Sequence, residues 1–363
     1  MATHLAAVSL AKGKPFELQT RLTPKPRPGE LLIEVKSIAL NPADGIMRDQ
    51  GLFITAYPTV IGFDLAGLVL EVGDNVPGSF QPGVTRIAAY AASVWKSCDP
   101  DYGAFQERCL VPWQHALYLP DEGISWNQAA TLPVAAQVPL SAWDAMGIPR
   151  MGEATAPFGA HSNGRTQKNK ILLIWGASSS VGTMGVQSAR LLRDDRDSPF
   201  AAVYATAGAT NLKYVASLGA DRVFDYNEPQ LIDTIVSTAR EDGLVIQHCF
   251  LATGQLAPCQ DVLRAFVGEN QTAKIGSAPV IPPVAREVDG VETVFLMPSA
   301  DEGERLAQFR YWLGWMREKL ANGAIRPSPE PKVVGKGLGT INAGLDVLRQ
   351  GVSCSKLVVE VAE

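Results

Sequence analysis

The chain has 363 residues, 46% of them hydrophobic and 19% charged, which is the balance of a folded globular protein and long for a single core, so two domains are expected. A formal net charge of −5 argues against nucleic acid or an acidic membrane surface as partner. No uninterrupted apolar run reaches the roughly 18 residues that a bilayer span requires. The N-terminus does not read as a secretory leader, and five scattered cysteines without a CxxC pair read as cytosolic usage.

In chain order, residues 1 to about 125 hold short apolar strands punctuated by Gly and Pro, such as 31–38 (LLIEVKSI) and 65–72 (LAGLVLEV). Many short strands with turn signals between them predict a β-rich, barrel-like unit. Residues 150–169 (RMGEATAPFGAHSNGRTQKN) are polar and read as an exposed loop. From Lys170 the pattern changes to strand ILLIW, a Gly/Ser turn, a helix over 181–192, a strand over 201–205, a further helix and a strand over 222–224. That alternation predicts an α/β arrangement with a parallel sheet of βαβ units. Beyond about 300, residues 301–322 read as a long helix with Phe309, Trp312, Leu313, Met316 and Leu320 on one side. A turn (GAIRPSP), a helix near 338–350 and a final strand over 356–361 follow.

The strongest chemical signal is residues 171–189, ILLIWGASSSVGTMGVQSA. An apolar strand ends at Trp175, a tight turn carries Gly176, Ser178, Ser179 and Ser180, and a helix opens at Val181 and Gly182. Backbone amides at such a helix start favour a pyrophosphate, with Gly182 permitting close helix–strand packing. The serines partly replace the glycines of a G-x-G-x-x-G loop, and their hydroxyls are candidate phosphate donors. The alternative is an ordinary βα connection. An acidic residue that selects NAD normally ends the second strand. Here that strand runs into Thr206, Ala207 and Gly208, then Asn211 and Lys213, with no acid among them. Small neutral residues beside a lysine tolerate a 2′-phosphate, so NADPH is expected. For Lys213 a solvated helix position is the equal alternative.

Several segments resemble the quinone-oxidoreductase-like medium-chain dehydrogenases/reductases. They are 39–51 (ALNPADGIMRDQG), 58–76 (PTVIGFDLAGLVLEVGDNV), Gly103 to Glu107, Leu119-Pro120, Ala129 to Pro133, Leu218 to Asp221 and Lys356 to Val359, in the family's order across nearly the whole chain. The chain length, the loop before the nucleotide strand and Val223-Phe224-Asp225-Tyr226 resemble the fungal trans-acting enoyl reductases of polyketide pathways in particular. The resemblance implies a Rossmann doubly wound parallel sheet, at about 135–299, inserted into a GroES-like β-rich substrate domain made of 1–134 and 300–363. It also implies an active site in the cleft between them, Tyr226 among the cofactor contacts, and a monomer or homodimer.

Zinc members of this superfamily converge a thiolate, a histidine and a further ligand on the metal. The matching places hold Asn41 and Phe63, and the four histidines show no i, i+4 pair, so no zinc is expected. Without a metal, the chemistry easiest to envisage is hydride addition to the β carbon of an α,β-unsaturated carbonyl, with donors stabilising the charge that builds on oxygen. Asn41, then Tyr57 and Ser141, are the candidate catalytic groups. The alternatives are that Asn41 is a turn residue and Asp44 a local cap or ion-pair partner of Arg48. His248 reads as a buried structural histidine. Trans-acting relatives carry a lysine in the segment matching Gly45-Ile46-Met47, where Ile46 stands here, so no general acid is identified. The functions expected are an NADPH-dependent enoyl reductase with its substrate carrier-bound through a polyketide synthase, a quinone or carbonyl reductase of detoxification, or a catalytically silent nucleotide-binding protein.

Overall fold

The computed structural model describes residues 1–120, 123–151, 168–268 and 272–361. Most of the loop expected over 150–169 lies outside the described residues. The chain divides into two compact units, Met1–Gln137 with Ser299–Glu363, and Val138–Pro298.

The first unit opens with an antiparallel pair, β1 (Thr3–Val8) and β2 (Glu17–Leu22), followed by β3 (Glu30–Ala39). Helix α1 (Pro42–Gln50) starts on a proline, whose fixed φ and missing N–H suit the first helical position. It stops at Gly51, which takes the left-handed conformation (φ 71°) and returns its N–H to the Met47 carbonyl. Strands β4 (Asp64–Val72), β5 (Arg86–Tyr90), β6 (Arg108–Pro112) and β7 (Ala116–Tyr118) follow, then α2 (Trp126–Ala130). Helix α3 (Leu132–Ala145) carries the chain into the second unit.

That unit is a six-stranded parallel sheet of β8 (Lys170–Trp175), β9 (Phe200–Ala207), β10 (Arg222–Asp225), β11 (Val245–Leu251), β12 (Ala273–Ser277) and β13 (Val291–Phe295). The strands lie in the order β10-β9-β8-β11-β12-β13, all pairs parallel. This is the doubly wound 3-2-1-4-5-6 order, which reverses between β8 and β11 and opens a ligand crevice at their carboxyl ends. The helices are α4 (Ser180–Asp194), α5 (Leu212–Ser217), α6 (Leu231–Glu241) and α7 (Leu256–Arg264). Isoleucine and leucine fill β8 continuously because both faces of a central parallel strand are covered.

The chain then returns to the first unit through α8 (Glu302–Ala321), β14 (Pro331–Lys336), α9 (Ile341–Arg349) and β15 (Lys356–Glu360). Strand β15 joins the edge of β3, completing a seven-stranded sheet ordered β14-β15-β3-β4-β5-β7 with β6 paired to the other end of β3. Along α8 the buried residues include Phe309, Trp312, Leu313 and Met316 as expected, and also Arg305 and Trp315; Leu320 is only half-buried. No helix of the described residues is long and apolar enough to cross a membrane.

Candidate functional site: a dinucleotide cradle and a buried polar cluster

The turn from β8 into α4 is held shut by its own side chains. Gly176 has φ 76°, and a Cβ there would lie 2.5 Å from the Thr253 methyl, so only glycine fits. Its N–H donates to the Thr206 hydroxyl at 3.0 Å. Ser179 caps α4: its hydroxyl accepts from the Gly182 N–H at 3.1 Å and donates to the Gly176 carbonyl at 2.8 Å. At Gly182 a Cβ would stand 2.4 Å from the Gly176 carbonyl oxygen and 2.8 Å from the Ser179 hydroxyl. Glycine therefore lets the first turn of α4 close onto the end of β8, leaving the amides of Ser180 and Val181 without intrahelical partners.

These placements divide the residues expected to touch phosphate. The hydroxyl of Ser179 is committed to the turn, and Thr206, fully buried, braces it from β9. The Ser179 hydroxyl, one of the candidate phosphate donors, is thus engaged within the turn. Ser180 differs: its hydroxyl is buried and has no hydrogen-bond partner. A buried unpaired donor at the first residue of a helix, where the dipole favours an anion, fits a pyrophosphate. Ser178 and Val181 are half-buried at the same turn.

At the end of β9, Asn211 closes a turn by donating its N–H to the Gly208 carbonyl at 2.8 Å. A Cβ at Gly208 would lie 3.1 Å from the Tyr226 hydroxyl, and Tyr226 is 50% exposed. Lys213 is exposed and forms no ion pair among the described residues. Asp225, in register with Ala207 on the neighbouring strand, is the nearby acid that inspection of β9 alone misses. Its carboxylate is occupied by the Asn227 backbone N–H at 3.0 Å and side-chain amide at 2.9 Å.

In the first unit, Asn41 precedes α1 and is 5% exposed. Its backbone N–H donates to Asp44 Oδ2 at 2.7 Å, the reciprocal half of a capping box, so Asp44 is a local cap as the sequence allows. The alternative pairing of Asp44 with Arg48 is not formed: Arg48 binds Asp49 and Asp346, each at 2.7 Å. The Asn41 side chain turns away from the helix. Its Nδ2 donates to Asp64 Oδ2 at 3.0 Å, and its Oδ1 accepts from Lys356 Nζ at 2.5 Å. Lys356 also lies 3.1 Å from Asp64 Oδ2, and the Val134 N–H donates to Asp64 Oδ1 at 2.8 Å.

Burial pushes the Asp44 carboxyl up to about 7, the Asn41 N–H opposing and the Asp64 charge adding to it. Burial also raises Asp64, against the pull of Lys356. The two differ in partners. Asp64 accepts from three donors, one of them the Lys356 ammonium, which favour its carboxylate form against the desolvation that raises it; Asp44 has one donor and a buried Oδ1 with none. Asp44 is the member of the cluster that holds a proton near neutrality.

Within the first unit, Tyr57 lies apart from Asn41. The Tyr57 hydroxyl is buried, unpaired and close to Gly51, at the opposite end of α1, roughly 15 Å along the helix by a rise of about 1.5 Å per residue. Ser141, on α3 in the second unit, donates back to the Val138 carbonyl at 2.8 Å. Burial pushes His248 down to about 3, with Lys170 and Lys274 adding to the shift, so its ring is neutral near pH 7. Phe63 is buried and packs on Tyr90 at 5.4 Å between ring centres. Among the described residues no cluster of histidine, cysteine and carboxylate side chains could hold a metal.

The pattern of the alcohol dehydrogenase GroES-like domain matches residues 27–121. The trans-enoyl reductase tndF of Aspergillus flavipes is 38% identical over 98% of this chain and 98% of its own. The trans-enoyl reductase tazE of Aspergillus terreus is 38% identical over 83% of this chain and 94% of its own. Among solved structures, an alcohol dehydrogenase superfamily protein from Novosphingobium aromaticivorans aligns with a TM-score of 0.76 at 21% identity, covering 99% of this chain and 100% of that one. The doubly wound sheet, the GroES-like unit and the identity to trans-enoyl reductases mark an oxidoreductase of a family that uses a nicotinamide cofactor. The chain belongs to the medium-chain dehydrogenase/reductase family.

Proposed function

We propose that the protein is an NADPH-dependent enoyl reductase that acts in trans on a carrier-bound α,β-unsaturated thioester. The observation that carries this reading is the 38% identity, over nearly the whole of both chains, to a protein named a trans-enoyl reductase. Cofactor choice is supported by the end of β9, where Ala207 and Gly208 carry no carboxylate and Lys213 is exposed, while the acid on the neighbouring strand, Asp225, is turned to Asn227 through its Oδ1. Five free cysteines fit a reducing compartment, which supports a cytoplasmic site of action.

A bound nicotinamide supplies hydride to the β carbon of the substrate. The protein's part is to bind, orient and stabilise charge. Ser180 and the first amides of α4 would hold the pyrophosphate, and Asn211, Lys213 and Tyr226 would hold the 2′-phosphate. Asn41 is the group we assign to the substrate carbonyl. One of its Nδ2 hydrogens is committed to Asp64, while the second makes only a long bond of 3.4 Å to the Ala39 carbonyl and can be shared with a developing oxyanion without rotating the carboxamide. Tyr57 and Ser141 are secondary candidates for polar contacts. The proton required at the α carbon arrives from water or from a substrate-facing hydroxyl.

The test is oxidation of NADPH and NADH against a panel of enoyl thioesters, simple enones and quinones. NADPH consumption with enoyl thioesters is expected, with quinones slow. Turnover of quinones alone replaces the reading by a detoxifying quinone reductase. Tight NADPH binding with no turnover on any acceptor replaces it by a silent binding protein.

A further inference from the structure

Two strands converge on Asn41 from opposite sides. Strand β3 ends at Ala39, two residues before Asn41, and pairs there with Asp64 at the start of β4 and with Val358 of β15. The flanking strands thereby deliver Asp64 to one edge of the Asn41 carboxamide and Lys356, from 315 residues downstream, to the other. Asp64 is fully buried and Lys356 is 4% exposed, so both charges have left water and answer mainly to each other and to Asn41.

A carboxamide has an acceptor edge and a donor edge of nearly equal shape, and only its partners decide which way it faces. Here neither partner can change role. An ammonium has no acceptor, and a carboxylate held by three donors has no proton to give. Flipping Asn41 would set Nδ2 against Lys356 and Oδ1 against Asp64, two repulsive contacts inside a dry cluster. The cap to Asp44 fixes the backbone of Asn41 at the same time.

We infer that Asp64 and Lys356 are positioning residues of the reductase site: they lock the Asn41 carboxamide in one orientation, so that the Nδ2 hydrogen on the long bond to Ala39 is presented to the substrate oxygen. The lock is a property of the folded protein, with or without turnover. Its consequence for turnover rests on the assignment of Asn41 to the substrate carbonyl under the proposed function, and the test separates the two.

The variants are Lys356→Met, Lys356→Arg, the paired Asp64→Asn/Lys356→Met and Asn41→Ala. Losing only one charge strands the other in the core and endangers folding; the paired variant removes both, and thermal unfolding with circular dichroism identifies the variants that fold. The lock itself is read without turnover. In ¹⁵N-labelled protein the Asn41 side-chain amide, assigned as the signal missing in Asn41→Ala, should exchange with solvent at least ten times faster in the folded paired variant, with Lys356→Arg near wild type. Unchanged exchange in a folded paired variant overturns the proposal.

The consequence is read by kinetics at saturating NADPH. The paired variant should lose kcat by ten- to a hundredfold with NADPH affinity within threefold, and adding Asn41→Ala should cost nothing more. A folded paired variant with loosened Asn41 and wild-type kcat would show that the orientation does not serve catalysis, overturning that half of the inference. Absence of turnover in wild type would instead remove the enoyl reductase reading and leave the exchange result to decide the lock.

Discussion

At Gly182 the distance of 2.4 Å from a built Cβ to the Gly176 carbonyl means that any side chain pushes α4 off the end of β8. Gly182→Val should abolish measurable NADPH binding, because several backbone contacts to phosphate are lost together. The serines separate by role. Removal of the Ser179 cap should lower stability by about 1 kcal/mol, the usual cost of an N-cap, with a modest effect on affinity. Ser180→Ala deletes an unpaired buried hydroxyl, so the free protein should be no less stable. NADPH affinity should nonetheless fall by about ten- to a hundredfold, the worth of one hydrogen bond to a charged group at about 1.5–3 kcal/mol. Calorimetric titration with thermal melts decides it; a Ser180→Ala protein that binds as wild type places the phosphate elsewhere. The glycine and serine positions were legible from the strand–turn–helix pattern. What the sequence could not assign was the division of labour among three consecutive serines, since that depends on which hydroxyl folds back into the turn.

Asp44 carries the second prediction at this scale. Its folded carboxyl is raised from 3.8 to about 7, so between those values the folded chain holds a proton that the unfolded chain has released. Stability therefore falls as pH rises through that window, by up to about 4 kcal/mol at about 1.36 kcal/mol per unit. Asp44→Asn keeps an acceptor for the Asn41 N–H and cannot ionise, so its stability should decline less than that of wild type between about pH 5 and about pH 8. Parallel denaturation profiles for the two proteins would show that Asp44 does not hold the proton. The gathering of Asp44, Asp64 and Lys356 was not readable beforehand. Each stands in a segment that resembles the family, but only the antiparallel register of β15, β3 and β4 brings them together.

At the scale of elements, α8 shows where periodicity succeeds and where it stops. The apolar side was legible as a stripe, yet Trp315 and Arg305 are buried as well, because the helix is covered over a wider arc than one stripe. Arg305 spends its guanidinium on the Ser299 and Ala300 carbonyls, both at 3.1 Å, and lies over the Trp95 ring at 4.8 Å. Phe309 sits at the centre of a ring cluster, 4.0 Å from His115, 4.7 Å from Tyr90 and 5.3 Å from Trp312. Phe309→Ala should cost about 3–5 kcal/mol, the range for truncating a buried aromatic, seen as a lower denaturant midpoint. A change below about 1 kcal/mol would mean that the surrounding rings collapse into the space. The last three strands of the parallel sheet escaped sequence reading for a different reason. In the strands at 245–251, 273–277 and 291–295, Gln247, His248, Lys274 and Glu292 break the apolar runs.

Over the whole molecule, the α/β class and the Rossmann and GroES-like architecture were legible because short motifs recur in a fixed order along the chain. The return of residues 299–363 to the first unit is a matter of long-range strand pairing, which no local pattern encodes. The absence of zinc remains an expectation with its own test. The one ligand atom of Asn41, its Oδ1, is taken by Lys356, and Phe63 offers none, so purified protein should contain no stoichiometric zinc and keep its activity in a strong chelator. About one zinc per chain would overturn the chemistry assigned to Asn41.

That chemistry is tested most directly by following the hydride. NADPH carrying deuterium at C4 of the nicotinamide, on the face that is transferred, is incubated with an enoyl thioester and the product is examined by mass spectrometry and NMR. The account predicts one deuterium at the β carbon of a saturated thioester, a solvent-derived proton at the α carbon, and little transfer when NADH replaces NADPH. Deuterium on a carbinol carbon, with the double bond intact, would contradict it.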